Sequence, residues 1–392
     1  MSFPLALYDR RSNHQRFLPS LFMTIFLSAV AFLVLLTGLI LIHECGHFFA
    51  ARLLGVDVEE FGFGLPPRAA TIGVWKRTTF TLNWIPFGGF VRLKGESEIS
   101  RSSLSKRSFG RASILTRCII LTAGVFMNFV LAMSIFTLGF SVGEWVPTYS
   151  TLEEITGALS RGEIEGKIVT KIDAVISGGG AQRAGIPAGV ILTAVEEIAV
   201  EQPADVIGIQ EGKNIVRYTV RMGENFTQER VFRVNLTEGK SGVALVPFIH
   251  NLRSPKRGIL SAVQLALRES NVVLEQTVQG IFKLFLSLAK SGTVPEGITG
   301  IVGIAQLTHS SVQEGFGVYM RLIALLSLSL AILNILPFPA LDGGRLLFVV
   351  AEALHCRLFN RRFELMINSL GLVFLIVLIL WVTLYDVIRL FQ

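Results

Sequence analysis

An uninterrupted apolar run, residues 21–42, leads without a turn into His43-Glu44-Cys45-Gly46-His47. A helix of that length spans the ~30 Å of hydrocarbon in a bilayer. In such a solvent every backbone polar group must be bonded within the segment, so the run has to be a helix. The pattern continues as helix through His47 to about Leu54. Three ionisable residues, His43, Glu44 and His47, therefore sit at the end of a membrane-spanning helix. Each costs roughly 2.5–3.5 kcal/mol at membrane depth, a cost met only with a compensating partner. His43 and His47 are four residues apart and share a helix face. Two imidazoles so placed can bind one Zn²⁺, with the adjacent Glu44 free to reach a water. The alternative is a helix end hydrated at the interface.

The rest of the chain agrees with a membrane setting. Of 392 residues, 51% are hydrophobic and 17% charged, against about a quarter charged in soluble chains. Arg10, Arg11 and Arg16 precede the first run like the basic start of a signal peptide. The length of the run and its continuation into HECGH argue that it is retained. Cys45, Cys118 and Cys356 form no CxxC pair, so neither a disulfide framework nor a cysteine metal site is expected. The net charge of +7 is placed asymmetrically, which in a membrane protein bears on orientation. No aromatic-and-basic module is visible, and nucleic acid is not an expected partner.

Three further spans are read at residues 114–142, interrupted by Asn128, at 320–336 and at 365–385, giving about four transmembrane helices. The loop between the first two carries Arg68, Lys76, Arg77, Arg92, Lys94, Arg101, Lys106, Arg107 and Arg111, which predicts a cytoplasmic location. The link with Arg357, Arg361 and Arg362 then also falls inside and the acidic middle segment outside. The N-terminal arginines would fall outside, against the rule. Within the loop, residues 78–84 (TTFTLNW) and 89–94 (GFVRLK) predict strands with a turn at Pro86 and Gly88, a β-hairpin with its apolar side toward the membrane. Residues 151–246, with runs such as KIVTKIDAV at 167–175, predict a β-rich soluble domain of ordinary size. In residues 258–287, Ile259, Val263, Leu267, Leu274, Val278, Ile281 and Phe285 recur at helical spacing. They predict an amphipathic helix on the membrane surface, against the bundle or on the soluble domain.

A catalytic zinc needs three protein ligands and an open position. The candidate third ligand is Asp342, in Asn334-Ile335-Leu336-Pro337-Phe338-Pro339-Ala340-Leu341-Asp342-Gly343-Gly344. The prolines and glycines break an apolar helix, and broken backbone at membrane depth must line protein or a cavity. The alternative is an ordinary helix C-cap and stop signal.

Together, HECGH and NILPFPALDGG resemble the site-2 protease family of intramembrane zinc proteases, whose NxxPxPxxDGG pattern is met at Asn334, Pro337, Pro339, Asp342, Gly343 and Gly344. The resemblance covers nearly the whole chain after residue 21. It implies one zinc per chain on His43, His47 and Asp342, Glu44 as general base, and hydrolysis of peptide bonds in single-span membrane proteins. Asn334 would hold the substrate backbone, with Pro337 and Pro339 beside it. Gly62-Phe63-Gly64 resembles the family's GxG motif, and the hairpin, about Thr78–Leu93, would re-enter the membrane. There it would pair with an unwound substrate or simply cover the bundle. Asn128 would more simply serve helix packing than substrate.

The family's soluble insert is a PDZ domain. The stretch GGGAQRAGIPAGVILTAV at 178–195 is similar to one, with Val190 where an Asp is usual. The element order resembles the bacterial regulator-of-sigma-E protease type, here with room for one PDZ domain. Membrane-anchored anti-sigma factors or remnant signal peptides are the implied substrates. The implied location is a bacterial inner membrane, with the active site toward the cytoplasm and the PDZ domain outside. A metal transporter and an inactive PDZ scaffold are the rival readings. A single, unrepeated HExxH and a Glu44 that a transporter would not need oppose the first, and intact Glu44, His43, His47 and Asp342 oppose the second.

The expected architecture is a polytopic α-helical membrane protein with a membrane-associated β-hairpin and an inserted β-rich domain. Its segments are an extension at 1–20, the first two spans with the loop at 21–145, the PDZ domain at 146–250, the amphipathic helix and a linker at 251–315, and the last two spans at 316–392.

Overall fold

The computed structural model describes residues 11–96, 105–143, 145–149, 151–223, 226–355 and 361–391. Residues 1–10 of the extension, Arg101, Cys356 and Arg357 lie outside the described residues. The chain falls into two units. One combines the chain up to Ser141 with Gly258 onward, and the other is Val142–Arg257.

Helix α1, Arg11–Leu53, carries the HECGH segment in its last three turns. It starts within the segment expected to be an extension. Helix α2 (Ile114–Val142) runs antiparallel to it. The crossing is close at Gly46, whose added Cβ would lie 2.3 Å from the Ala123 carbonyl oxygen. Helix α6 is Ile259–Ser291, α7 Ile301–Glu314, α8 Phe316–Ile335, α9 Asp342–His355 and α10 Arg361–Arg389. Helix α8 runs parallel to α1, with the Tyr319 hydroxyl on the Ala31 carbonyl at 2.8 Å. Further along both helices, Asn334 shares a cavity with Ile40 and His43.

By length and composition, five helices could cross a bilayer, and α6 is one of them, though the least apolar. It packs in the helical unit, against α8 and α2. The buried Glu269 pairs with Arg321 at 2.9 Å, and Ser270 donates to Met133 Sδ at 3.2 Å. Just past its end, the Gly292 carbonyl accepts from Trp381 and Tyr385 of α10. Arg321 is thirteen residues above Asn334 on α8. Trp381 is thirteen above Asn368, whose side chain accepts the Ala340 N–H. Both levels are thus about 20 Å from the helix break. Between these two contacts α6 runs through more than twenty residues, and its last turns lie along α10, with Phe285 stacked on Phe374.

The segment expected as a linker holds a second helix, α7. Its first turn is bonded by Asp386 of α10, which accepts from Gly300 N at 2.7 Å and Gly303 N at 2.8 Å. A carboxylate at a helix N-terminus meets the orphan amides and the dipole there. Because that cap comes from a residue far along the chain, the local sequence hides it.

The hairpin expected in the basic loop after α1 is built differently. Residues 78–84 and 89–94 are two halves of one bent strand, β2 (Thr78–Leu93), and they do not pair with each other. Strand β1 (Val58–Trp75), not anticipated, bends with it. Residues 68–75 pair with 78–83, while 58–63 lie between 79–82 and 89–93. The result is a four-row mixed sheet with the Gly62-Phe63 segment in an inner row, parallel to 79–82 and antiparallel to 89–93. The hairpin turn is Lys76-Arg77, both at positive φ, as a two-residue turn requires. Gly88 and Gly64 (φ +76 and +80) are at the bends.

Glu60, on the inner row, is 4% exposed. It accepts from Arg68 (2.6 Å) and Thr81 (2.9 Å) and is ion-paired with Arg92 (3.0 Å), one residue from each other row. The sheet runs along α1. Arg52 donates to the Lys76 carbonyl at 2.8 Å, and Thr37 to the Pro86 carbonyl at 2.9 Å. Those α1 residues are fifteen apart, about 22 Å of helix. The bend near Thr37 exposes Leu65, Trp84, Ile85 and Phe87, the composition expected of a lipid-facing tip.

The second unit has strands β3 (Glu165–Val175), β4 (Ile191–Val195), β5 (Ile198–Ala199), β6 (Ile215–Met222), β7 (Gln228–Asn235) and β8 (Val243–Arg253). The sheet order is β7-β6-β4-β3-β8, with β5 on β4. Helices α3 (Leu152–Ser160), α4 (Gly180–Arg183) and α5 (Pro203–Gln210) complete it. Leu192, Val195, Val206, Val216, Val220 and Val234 form its core around Tyr218. The Tyr218 hydroxyl is bonded to Gln210 and, at 2.9 Å, to Ser241, and burial pushes the phenol pKa up.

Replacing Glu60 by Ala removes the one group bonded to all three other rows of the β1–β2 sheet. We expect a loss of about 1–3 kcal/mol, read as a lower thermal midpoint and faster proteolysis between residues 64 and 75 in the full-length protein.

Candidate metal centre

Helical periodicity stacks His43 and His47 one turn apart on α1. Across from them the chain leaves α8, turns through residues 336–341 and re-enters helix at Asp342. Asp342 thus opens α9, where the alternative reading made it a C-cap. The glycines after it permit close approach and do not mark a stop. An added Cβ on Gly343 would lie 2.2 Å from the Leu336 carbonyl oxygen, and one on Gly344 2.2 Å from that of Phe338. The turn itself is held by α10, through the Ala340 N–H to Asn368 Oδ1 bond at 3.2 Å. Ala340 adopts φ +74, a conformation unfavourable for residues other than glycine.

This geometry brings three ligand-type atoms together. Asp342 Oδ2 is 2.9 Å from His43 Nε2 and 3.1 Å from His47 Nε2, and the two nitrogens are 3.1 Å apart. Ligand atoms about 2.0–2.2 Å from a tetrahedral zinc are about 3.3–3.6 Å apart, so an outward shift of a few tenths of an ångström lets the donor set take that ion. His47 Nδ1 donates to the Ile120 carbonyl on α2 at 2.8 Å. That bond leaves Nε2 as the lone-pair nitrogen facing the cluster. The two imidazoles are buried.

A cavity of about 200 Å³ opens beside the cluster, lined by Ile40, His43, Glu44, Leu330, Asn334, Ala340, Leu341 and Asp342. His43, Glu44, Asn334 and Asp342 are therefore brought together, from α1, α8 and the start of α9. Pro337, Pro339, Gly62 and Gly64 are not among its lining residues. Pro339 packs on Gly371 of α10, and Gly62 packs on the Phe90 ring inside the sheet. The Val91 amide, on the outer row 89–93, lies within reach of the Glu44 carboxylate. Asn128 is fully buried on α2, and its backbone carbonyl accepts from Ser327 at 2.9 Å.

Sequence reasoning missed the contributions of Ile120 and Val91. Both act through backbone groups, which no residue type advertises.

Residues 31–378 match Peptidase family M50. The chain belongs to the M50, or site-2 protease, family. A candidate zinc metalloprotease of Fusobacterium nucleatum is 29% identical over 369 residues, 92% of this chain and 98% of that protein. Another from Clostridium perfringens is 29% identical, covering 91% and 97%. The chloroplastic membrane metalloprotease ARASP of Arabidopsis thaliana is 27% identical, covering 84% and 72%. This M50 member is an integral membrane zinc metalloprotease, and the His-His-Asp cluster is consistent with its metal. The transporter and scaffold readings fall away.

Two outcomes follow for the site's framework. Ala340→Val places a β-branched residue at positive φ and lowers stability by about 1–3 kcal/mol, whereas Ala340→Gly does not, as differential scanning calorimetry of the two proteins will report. Stripping zinc with a chelator lowers the thermal midpoint. Titrating zinc back restores it with the logarithmic concentration dependence of a ligand bound only by the folded state.

Proposed function

We propose that this protease hydrolyses peptide bonds in or near the transmembrane segment of single-span membrane proteins. The observation that carries the reading is the meeting of His43, His47 and Asp342 with Glu44 and Asn334 around one cavity, on helices that are apolar along their length. In this reading His43, His47 and Asp342 hold one zinc per chain. Zinc supplies Lewis-acid chemistry, acidifying water to a pKa of about 7 and polarising a carbonyl. Glu44 accepts the proton of the attacking water and delivers it to the departing amine. Asn334 hydrogen-bonds the substrate backbone in the cavity, and Pro337 and Pro339 keep the chain beside it out of helix.

A substrate helix must unwind before cleavage, because its carbonyls are otherwise committed to helical bonds. An extended chain can pair with the outer row 89–93, whose Val91 amide lies near Glu44. Main-chain pairing of this kind holds a peptide with little demand on its sequence. Gly62 and Gly64 then serve indirectly, by shaping the sheet that presents that edge.

The parallel run of α1 and α8 supports four crossings, by α1, α2, α8 and α10. With the basic loop after α1 inside, the metal centre lies toward the cytoplasm and the β unit, 146–250 in the sequence reading, outside. A PDZ domain is the reading we favour for that unit, with its β8 edge strand and α5 near each other. We assign the chain to the regulator-of-sigma-E protease type in a bacterial inner membrane. Membrane-anchored anti-sigma factors and remnant signal peptides are the candidate substrates, and the PDZ domain limits which of them enter.

The test uses a single-span reporter protein co-reconstituted with the full-length enzyme. Glu44→Gln is expected to retain zinc and lose cleavage by at least about 100-fold, the scale of general-base catalysis. Asp342→Ala is expected to lose zinc as well. Cleavage by Glu44→Gln at the wild-type rate sinks the mechanism, and wild-type zinc affinity in Asp342→Ala sinks the ligand assignment.

A further inference from the structure

Helix α2 approaches the metal centre more closely than a neighbouring helix needs to. An added Cβ on Gly124 would lie 2.5 Å from His47 Nε2 and 2.7 Å from both Nε2 and Cε1 of His43. The nitrogens it would strike are the two that face Asp342 Oδ2 at 2.9 and 3.1 Å. One turn earlier on the same helix, the Ile120 carbonyl holds His47 Nδ1 at 2.8 Å. That bond stops the His47 ring from swinging aside without losing its partner. The close crossing that sets this distance is at Gly46, where an added Cβ would meet backbone: the Ala123 oxygen at 2.3 Å and Gly124 Cα at 2.8 Å.

We propose that Gly124 is a positioning residue of the zinc centre. Its bare backbone is the wall against which both metal-facing nitrogens rest, and with the Ile120 carbonyl it makes α2 a template for the imidazole pair. The proposal rests on the reading of His43, His47 and Asp342 as the zinc ligands. The three atoms nearest a side chain at Gly124 all belong to imidazoles, which can rotate away when no metal holds them, His47 at the cost of its bond to Ile120. A side chain at Gly46 obstructs backbone, whether or not metal is present. The two glycines therefore have separable roles, one toward the metal and one toward the fold.

The experiment uses the full-length protein in lipid nanodiscs, stripped of metal and then titrated with Zn²⁺, or with Co²⁺ for its visible absorption bands. Gly124→Ala is expected to melt closer to wild type than Gly46→Ala does without metal, to bind zinc about 10–100-fold more weakly, the usual loss when a ligand's supporting group is altered, and to shift the Co²⁺ bands. Gly46→Ala is expected to melt lower with or without metal. Wild-type zinc affinity and Co²⁺ bands in Gly124→Ala overturn the proposal. So does a Gly124→Ala protein that fails to fold, or melts as low as Gly46→Ala, without metal, since the obstruction would then not be confined to the imidazoles. His43→Ala and Asp342→Ala are run alongside. If they keep zinc, the ligand reading itself fails. If they lose it while Gly124→Ala does not, only the role of Gly124 fails.

Discussion

Two imidazoles and a carboxylate from opposite ends of the chain point their ligand atoms at one another within about 3 Å, well inside the end of an apolar helix. Charged and polar groups at such depth are costly unless each has a partner. Much of the helical unit can be understood as the support for that meeting. Helix α8 must run parallel to α1 so that its broken end arrives beside His43. Helix α2 must cross close enough for its backbone to orient His47. Helix α10 must hold the turn at Ala340, and the paired glycines must let α9 begin directly against that turn.

The β1–β2 sheet obeys the same constraint by a different route. Its two bent strands give four paired rows, so each inner row has both its edges bonded within the protein. The outermost row, 89–93, is the part of the sheet that reaches Glu44. Glu60, bonded to all three other rows, brings a buried carboxylate and two arginines into the sheet itself. Such a group favours one register of pairing over others, because slipping by a residue would carry it out of reach of its partners.

The zinc metalloprotease class was legible in the sequence, and so was the membrane setting. The HExxH spacing works because helical periodicity is local, and Asp342 was marked as a candidate because broken backbone among apolar residues needs a reason. The strands of the β unit were legible through alternation. Pairing was not. Residues 78–84 and 89–94 each read correctly as extended, yet the partner of both, 58–63, lay upstream in a stretch whose glycines disguised it. Helix α7 was hidden because its N-terminal partner, Asp386, is some eighty residues away in the chain. Helix α9 was hidden because its glycines look like a stop when their use is close packing.

By itself the sequence determined that the chain enters a membrane, that two histidines and a glutamate share a helix end there, and that a break near Asp342 needs an explanation. These follow from length, hydropathy and periodicity, which act over a few turns of chain. Only the tertiary structure decided that Asp342 reaches both imidazoles and that a glycine and a carbonyl of α2 lie against those rings. Those depend on distances between segments as much as three hundred residues apart. Contacts made through backbone atoms or through the absence of a side chain leave no mark in residue type from which such distances could be read.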